Sequence, residues 1–302
     1  MSHRSAILLV LLSALGFGSI ALFAKIAYAA GVSTSVLLAL RFSLAVVLLA
    51  PLLWYQRIAL PRGRTLAGFA LMGSLYTAQA QSYFTALKYA SSGLVALLLY
   101  VYPVLVTVMA VLLGWEKLDR RTLVLVAIAM AGIAITLGGK LEGQPLGIGL
   151  GLVSAAVYAV YILLGNRLTQ RADPLAATLV VMGAAALGNS ALAVVDGGAL
   201  PNNMLAWLAI GATALFSTVI AIAAFLVGIN VIGAAQASIV STLEPVITMC
   251  LGVALLGESV TVGQWFGGML VLIAVVLLAQ RPKRSLGAQT ETWRGAQKKL
   301  QW

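Results

Sequence analysis

Apolar runs of about twenty residues, separated by short polar and turn-forming clusters, recur along almost the whole chain. A helix rises about 1.5 Å per residue, so about 20 mainly apolar residues cross the hydrocarbon core of a bilayer. Cutting the sequence at its polar clusters predicts ten spans: 6–28, 34–54, 65–87, 92–114, 122–139, 146–168, 174–195, 204–227, 234–256 and 261–279. The loops between them are too short to hold a soluble domain. The first run has a basic start at Arg4 and an apolar centre, as a cleaved signal peptide does. It is read instead as a span, because the internal repeat described below needs it.

Composition agrees with a chain solvated by lipid. Of 302 residues, 62% are hydrophobic and 9% charged, too few charges to cover a water-soluble surface. Charge also sets the expected orientation, since short cytoplasmic loops collect Lys and Arg. With the N-terminus inside, the inner segments hold Arg4, then Arg57, Arg62 and Arg64, then Lys117, Arg120 and Arg121, then Arg167 and Arg171, and finally the basic tail. The outer segments keep Lys88 and Lys140. Both termini are therefore expected in the cytoplasm. The net charge of +11 does not imply nucleic-acid binding, because the basic residues sit at span ends, where anionic head groups neutralise them. The tail, residues 281–302, mixes Lys and Arg with Trp293 and Trp302, which suits either the inner leaflet or a disordered end.

The single cysteine, Cys250, cannot form an internal disulfide, and the single histidine, His3, lies at the chain start. No His or Cys cluster is available for a metal, no Ser-His-Asp arrangement fits in the membrane, and no cofactor is implied. An intramembrane enzyme would need a paired acid and base, whereas Glu244 stands alone. The "GIGLG" of 147–151 lacks the strand and acidic residue of a phosphate loop and instead permits close helix packing.

The chain also repeats itself internally. "YPVLVTVMAVLLGWE" (102–116) overlies "EPVITMCLGVALLGE" (244–258) at a constant shift of 142, matching Pro103 with Pro245 and Glu116 with Glu258. "SALGFGSIALFAK" (13–25) overlies "SAAVYAVYILLGN" (154–166) at a shift of 141. Five spans per repeat is an odd number, so the second copy enters from the opposite side. The expected architecture is two inverted five-helix repeats, 1–140 and 141–280, a recurring plan of alternating-access transporters.

These repeats, each ending in a "P…lgE" pattern, resemble the EamA group of the drug/metabolite transporter superfamily over all but the last twenty or so residues. Within that group the chain is most similar to the YddG type of amino-acid exporter. The resemblance implies export of aromatic and other neutral amino acids across a bacterial inner membrane. The implied partners are a small-molecule substrate and the bilayer, with no nucleic acid, and a monomer meets these requirements. The same fold also exports drugs and other metabolites.

Several residues are candidates for that work. Glu244 falls about 15 Å into its span, where a carboxylate must face protein or a water-filled cavity. It is suited to binding a substrate ammonium, exchanging a proton, or holding the fold through Ser241 and Thr248. Pro103 and Pro245 each lack a backbone donor and crowd the carbonyl four residues back, at Leu99 and Ser241, so each kinks its span. The kinks either carry the gates or only shape packing. Tyr76, Gln79 and Tyr83 share one face of the third span. Tyr158 and Tyr161 are close on the sixth, and Phe17 and Phe225 are the repeat partners of Tyr158 and Tyr83. Such rings stack on an aromatic substrate or hold its ammonium, though aromatic stripes also serve ordinary packing.

Lys25 is expected to snorkel to the head groups, and Arg41 either to snorkel, to make a structural hydrogen bond, or to attract a carboxylate. Glu116 and Glu258 are expected to cap helices at span ends, the former near Arg120 and Arg121. Trp54, Trp115 and Trp207 are expected in the interface belts. The spans show no Asp, Glu and His relay, which favours facilitated export over proton antiport through Glu244.

Overall fold

In the computed structural model the protein is described over residues 2–114, 120–138, 143–168 and 172–279. Those residues form thirteen α-helices: α1 His3–Gly18, α2 Ile20–Ala29, α3 Thr34–Tyr55, α4 Gly63–Ala86, α5 Ser92–Leu99, α6 Tyr102–Leu112, α7 Arg120–Gly138, α8 Pro145–Leu168, α9 Pro174–Val195, α10 Met204–Ala214, α11 Ala221–Ser241, α12 Leu243–Leu256 and α13 Val262–Ala279. A π-helical segment, Leu215–Ile220, joins α10 to α11. Glu116, Trp115, Lys117, Lys140, Arg171 and the tail lie outside the described residues.

The helix starts follow from local chemistry. Ser33, Ser91, Asp173 and Asn203 each accept a hydrogen bond from a first-turn amide and so cap α3, α5, α9 and α10. The breaks follow from proline. Pro103 and Pro245 lie in the first turns of α6 and α12, and the residues whose carbonyls they would crowd, Leu99 and Ser241, end α5 and α11. Each proline therefore divides what would be a single rod.

Among the described residues, six helical stretches are long and apolar enough to cross a membrane: His3–Ala29, Thr34–Tyr55, Ser92–Leu112, Pro145–Gly165, Pro174–Val195 and Met204–Phe225. Leu123–Thr136, Leu243–Leu256 and Val262–Leu277 are shorter apolar helices. Helix α4 has 24 residues, about 36 Å of rise. Its interior face, however, carries polar groups. Gln81 Nε2 donates to Asn189 Oδ1 at 2.9 Å and to Ser35 Oγ at 3.3 Å, and Ser35 Oγ donates to Asp196 at 2.5 Å. This network stitches α3, α4 and α9 together. One expected boundary is absent: α11 runs through the gap predicted between 227 and 234. That stretch contains glycine and asparagine but no proline, so nothing there removes a backbone donor.

Packing follows the repeat. Helix α1 lies on α11, as α8 lies on α4, while α3 pairs with α9 and α7 with α13. Exchanging the halves maps this pattern onto itself. Close approach depends on small residues: a Cβ at Gly16 would sit 2.7 Å from the Phe216 carbonyl oxygen, and one at Gly132 2.7 Å from that of Gly267. The main core gathers residues such as Leu37, Phe42, Phe84, Leu94 and Ile210 around the centre, while Leu8, Leu15, Val47, Leu187 and Leu255 remain exposed on the outside. An apolar exterior over a partly polar interior is the arrangement that lipid requires.

Candidate functional site

The proline breaks, the small-residue contacts and the polar face of α4 leave a central cavity of about 600 Å³. Phe17, Tyr76, Gln79, Tyr83, Tyr158, Tyr161, Phe225 and Glu244 all line it, as do both prolines, Pro103 and Pro245. The lining draws on both repeats. Residues that sequence reasoning had not placed there include Tyr100 and Tyr102.

One wall is a continuous run of rings. The buried Phe42 backs it, meeting Tyr76 at 5.5 Å between centroids, and Tyr76 meets Tyr161 at 5.5 Å. Tyr161 stacks on Tyr158 at 5.6 Å and 11°, Tyr158 meets Tyr102 edge-on at 4.7 Å, and Tyr102 meets Tyr100 at 6.1 Å. Tyr76 comes from α4, Tyr158 and Tyr161 from α8, Tyr102 from α6 and Tyr100 from the break before it. The wall offers ring faces to an aromatic group or a cation. Gln79 also serves the fold, because its Nε2 donates to Ser154 Oγ at 3.0 Å across α4 and α8.

The Tyr100 hydroxyl donates to the Ser241 carbonyl at 2.6 Å. That carbonyl is the one Pro245 deprives of its helical donor, so Tyr100 supplies the partner that a break in lipid demands. Thr248 Oγ1 donates to the Glu244 carbonyl at 3.0 Å and to that of Gly18 at 2.9 Å, tying the start of α12 to the end of α1. The Glu244 side chain is half-buried and faces the cavity, and it has no ion-pair partner among the described residues.

Arg41 does not snorkel. It is buried on the cavity wall, with its guanidinium carbon 5.1 Å from the Phe42 ring centre and 5.3 Å from that of Phe84. Its Nε donates to Thr218 Oγ1 at 2.9 Å, and Thr218 Oγ1 donates to the Thr213 carbonyl, five residues back, at 3.0 Å. The extra residue in the π turn is what brings Thr218 to this place, a common use of π segments.

Lys25 does not snorkel either. Its Nζ meets Glu258 Oε1 at 2.6 Å and the Ala90 carbonyl at 3.3 Å. Glu258 also accepts from Ser92 N at 2.9 Å and from Ser92 Oγ at 2.8 Å, and so caps α5. Gly257, in the left-handed region at φ 65°, turns the chain so that Glu258 folds back. The result joins the ends of α2 and α12 to the start of α5. At the other end of the chain order, Arg121 Nη2 donates to the Leu277 carbonyl at 3.3 Å, between α7 and α13. Trp54 and Trp207 are exposed near the ends of α3 and α10.

Comparison with known proteins agrees with this architecture. The EamA-like transporter family matches residues 4–138 and again 145–280. The chain is 31% identical over 248 residues to an uncharacterized inner membrane transporter, YedA, of Escherichia coli K12, covering 79% of each chain. It is 28% identical over 219 residues to an uncharacterized transporter of Archaeoglobus fulgidus, covering 71% of this chain and 76% of that one. A crystal structure of a protein 19% identical in sequence shares the fold, with a TM-score of 0.65 over 92% of this chain and 97% of the other. Two matched halves, a lipid-facing exterior and relatives named as transporters lead to one conclusion: the chain is a membrane transporter and belongs to the EamA-like transporter family.

Proposed function

We propose that the protein exports aromatic and other neutral amino acids, or closely similar small metabolites, across a bacterial inner membrane. The observation that carries this reading is the ring wall from Tyr76 to Tyr100 inside a cavity built by both halves. A cavity of about 600 Å³ falls within the range of small-molecule sites, about 300–1,000 Å³, and rings with a few polar groups suit a small aromatic zwitterion. The two repeats, 1–140 and 141–280, exchange roles to open this cavity alternately to each side, and the breaks at Pro103 and Pro245 serve as the bends. Both termini and the basic tail face the cytoplasm, and the working unit is a monomer. Transport runs down the substrate gradient.

The Glu244 carboxyl group on the cavity wall, which has no ion-pair partner among the described residues, favours one second reading, in which the same substrates leave in exchange for protons. A cellular experiment tests the function itself. Bacteria expressing the protein are expected to resist a toxic fluorinated phenylalanine and to retain less labelled phenylalanine than cells with the empty vector. Tyr158→Ala with Tyr161→Ala is expected to remove both effects at equal membrane abundance. Resistance and retention that match the empty vector for every amino acid tried would refute the reading.

A further inference from the structure

Among the described residues, two ionisable side chains on the cavity wall lack an ion-pair partner, and they belong to different repeats. Glu244 is in the second, and its counterpart in the first is Tyr102. Arg41 is in the first, and the positions 140 to 142 residues later are Val181, Met182 and Gly183. Among the described residues the ion pair is that of Lys25 with Glu258, which involves neither Arg41 nor Glu244. A cation without a counter-ion in the interior of a membrane protein is costly, and such residues mark substrate pathways.

The local structure reduces that cost on three sides and leaves the fourth open. Phe42 and Phe84 present ring faces to the guanidinium, and Thr218 takes Nε. Among the described residues the two Nη groups have no protein hydrogen-bond partner, although the residue is only 2% exposed overall. Arg41 lines the cavity, and the Nη groups form the outer end of its side chain. The π segment holds Nε in place, which fixes the plane of the guanidinium and leaves its outer edge free. That edge is the fork that matches a carboxylate with two parallel hydrogen bonds. Phe42, against which the guanidinium lies, packs in turn on Tyr76, a ring of the aromatic wall.

We propose that Arg41 is an anion subsite of the cavity, which takes the carboxylate of the substrate while the substrate's ring lies on the tyrosine wall. The inference rests on the amino-acid reading above and sharpens it: the ligand must carry a carboxylate. A zwitterion is thereby oriented, with its carboxylate at Arg41 and its ammonium over the ring faces. An amine without a carboxylate gains nothing at Arg41, and an acid without an amine gains all of it.

The test compares 3-phenylpropionate, which has the ring and carboxylate alone, with phenethylamine, which has the ring and ammonium alone. Two readouts are taken on purified full-length protein: ligand-induced thermal stabilisation, and inhibition of labelled phenylalanine transport in liposomes. 3-Phenylpropionate is expected to stabilise the wild type and to compete with phenylalanine. Arg41→Gln is expected to weaken both effects at least tenfold, with the response to phenethylamine changed less than twofold. Arg41→Lys keeps the charge but loses the fork, and an intermediate loss is expected. It also serves as the test variant if Arg41→Gln does not fold. Equal effects of 3-phenylpropionate on the wild type and on whichever variant folds would overturn the subsite. If phenylalanine is not transported but stabilisation by 3-phenylpropionate depends on Arg41, the amino-acid reading fails and the subsite stands. If phenylalanine is transported and Arg41 does not matter for 3-phenylpropionate, the reverse holds.

Discussion

Replacing Glu258 by Gln removes the charge at the junction of α2, α5 and α12. The carboxylate accepts three hydrogen bonds, from Lys25 Nζ at 2.6 Å, Ser92 N at 2.9 Å and Ser92 Oγ at 2.8 Å. An amide keeps one acceptor oxygen but turns an NH2 group toward donors, and it strands the Lys25 ammonium. Stranding one partner of a fully buried pair costs about 3–5 kcal/mol, whereas an exposed pair contributes about 0–1 kcal/mol. Side-chain exposures of 24% for Lys25 and 12% for Glu258 place this pair between those limits, at about 2 kcal/mol. Lys25→Met removes the opposite charge while keeping the apolar stem, and a similar loss is expected. The double variant strands neither charge, so the two losses should not add, with a coupling of about 1–2 kcal/mol. Denaturant and thermal unfolding of the four proteins in one detergent measure each term. Additive losses, or single variants as stable as the wild type, would refute the reasoning.

Three further outcomes are expected. Tyr100→Phe leaves the Ser241 carbonyl without its donor at the Pro245 break, and thermal unfolding should show a loss of about 1–3 kcal/mol. Gly16→Val drives a Cβ to 2.7 Å from the Phe216 carbonyl, so folded yield on size-exclusion chromatography should fall sharply, whereas Leu12→Val on the exposed face of α1 should not change it. An imposed pH gradient should leave wild-type flux in liposomes unchanged. If a gradient does drive flux and Glu244→Gln abolishes that drive while preserving transport, the protein is a proton antiporter with Glu244 as its carrier.

The features legible in the sequence were those that local chemistry controls. Proline has a local effect, and the two breaks fall where the clash with Leu99 and Ser241 puts them. Tyr76, Gln79 and Tyr83 share a helix face, and a shared face is enough to bring them to one cavity. What could not be read depends on distant partners or on irregular backbone. Lys25 finds Glu258 across 233 positions, so the sequence offered only the general rule that a lysine near a span end snorkels. Arg41 finds Thr218 because a π turn displaces that residue from the register a 3.6-residue period assumes. Helix α11 passes through its predicted gap because the glycines and asparagine there weaken a helix without ending it. Helix α4 reads as weakly apolar because its polar side chains are satisfied inside the protein by Ser154, Ser35 and Asn189.

Uptake by the purified protein in liposomes, with a panel of labelled amino acids and with and without a pH gradient, decides whether the tyrosine-walled cavity carries amino acids. Saturable flux of phenylalanine, tyrosine or other neutral amino acids, competed by unlabelled substrate and absent without protein, is the predicted result. Flux equal to that of protein-free liposomes for every member of the panel would contradict it.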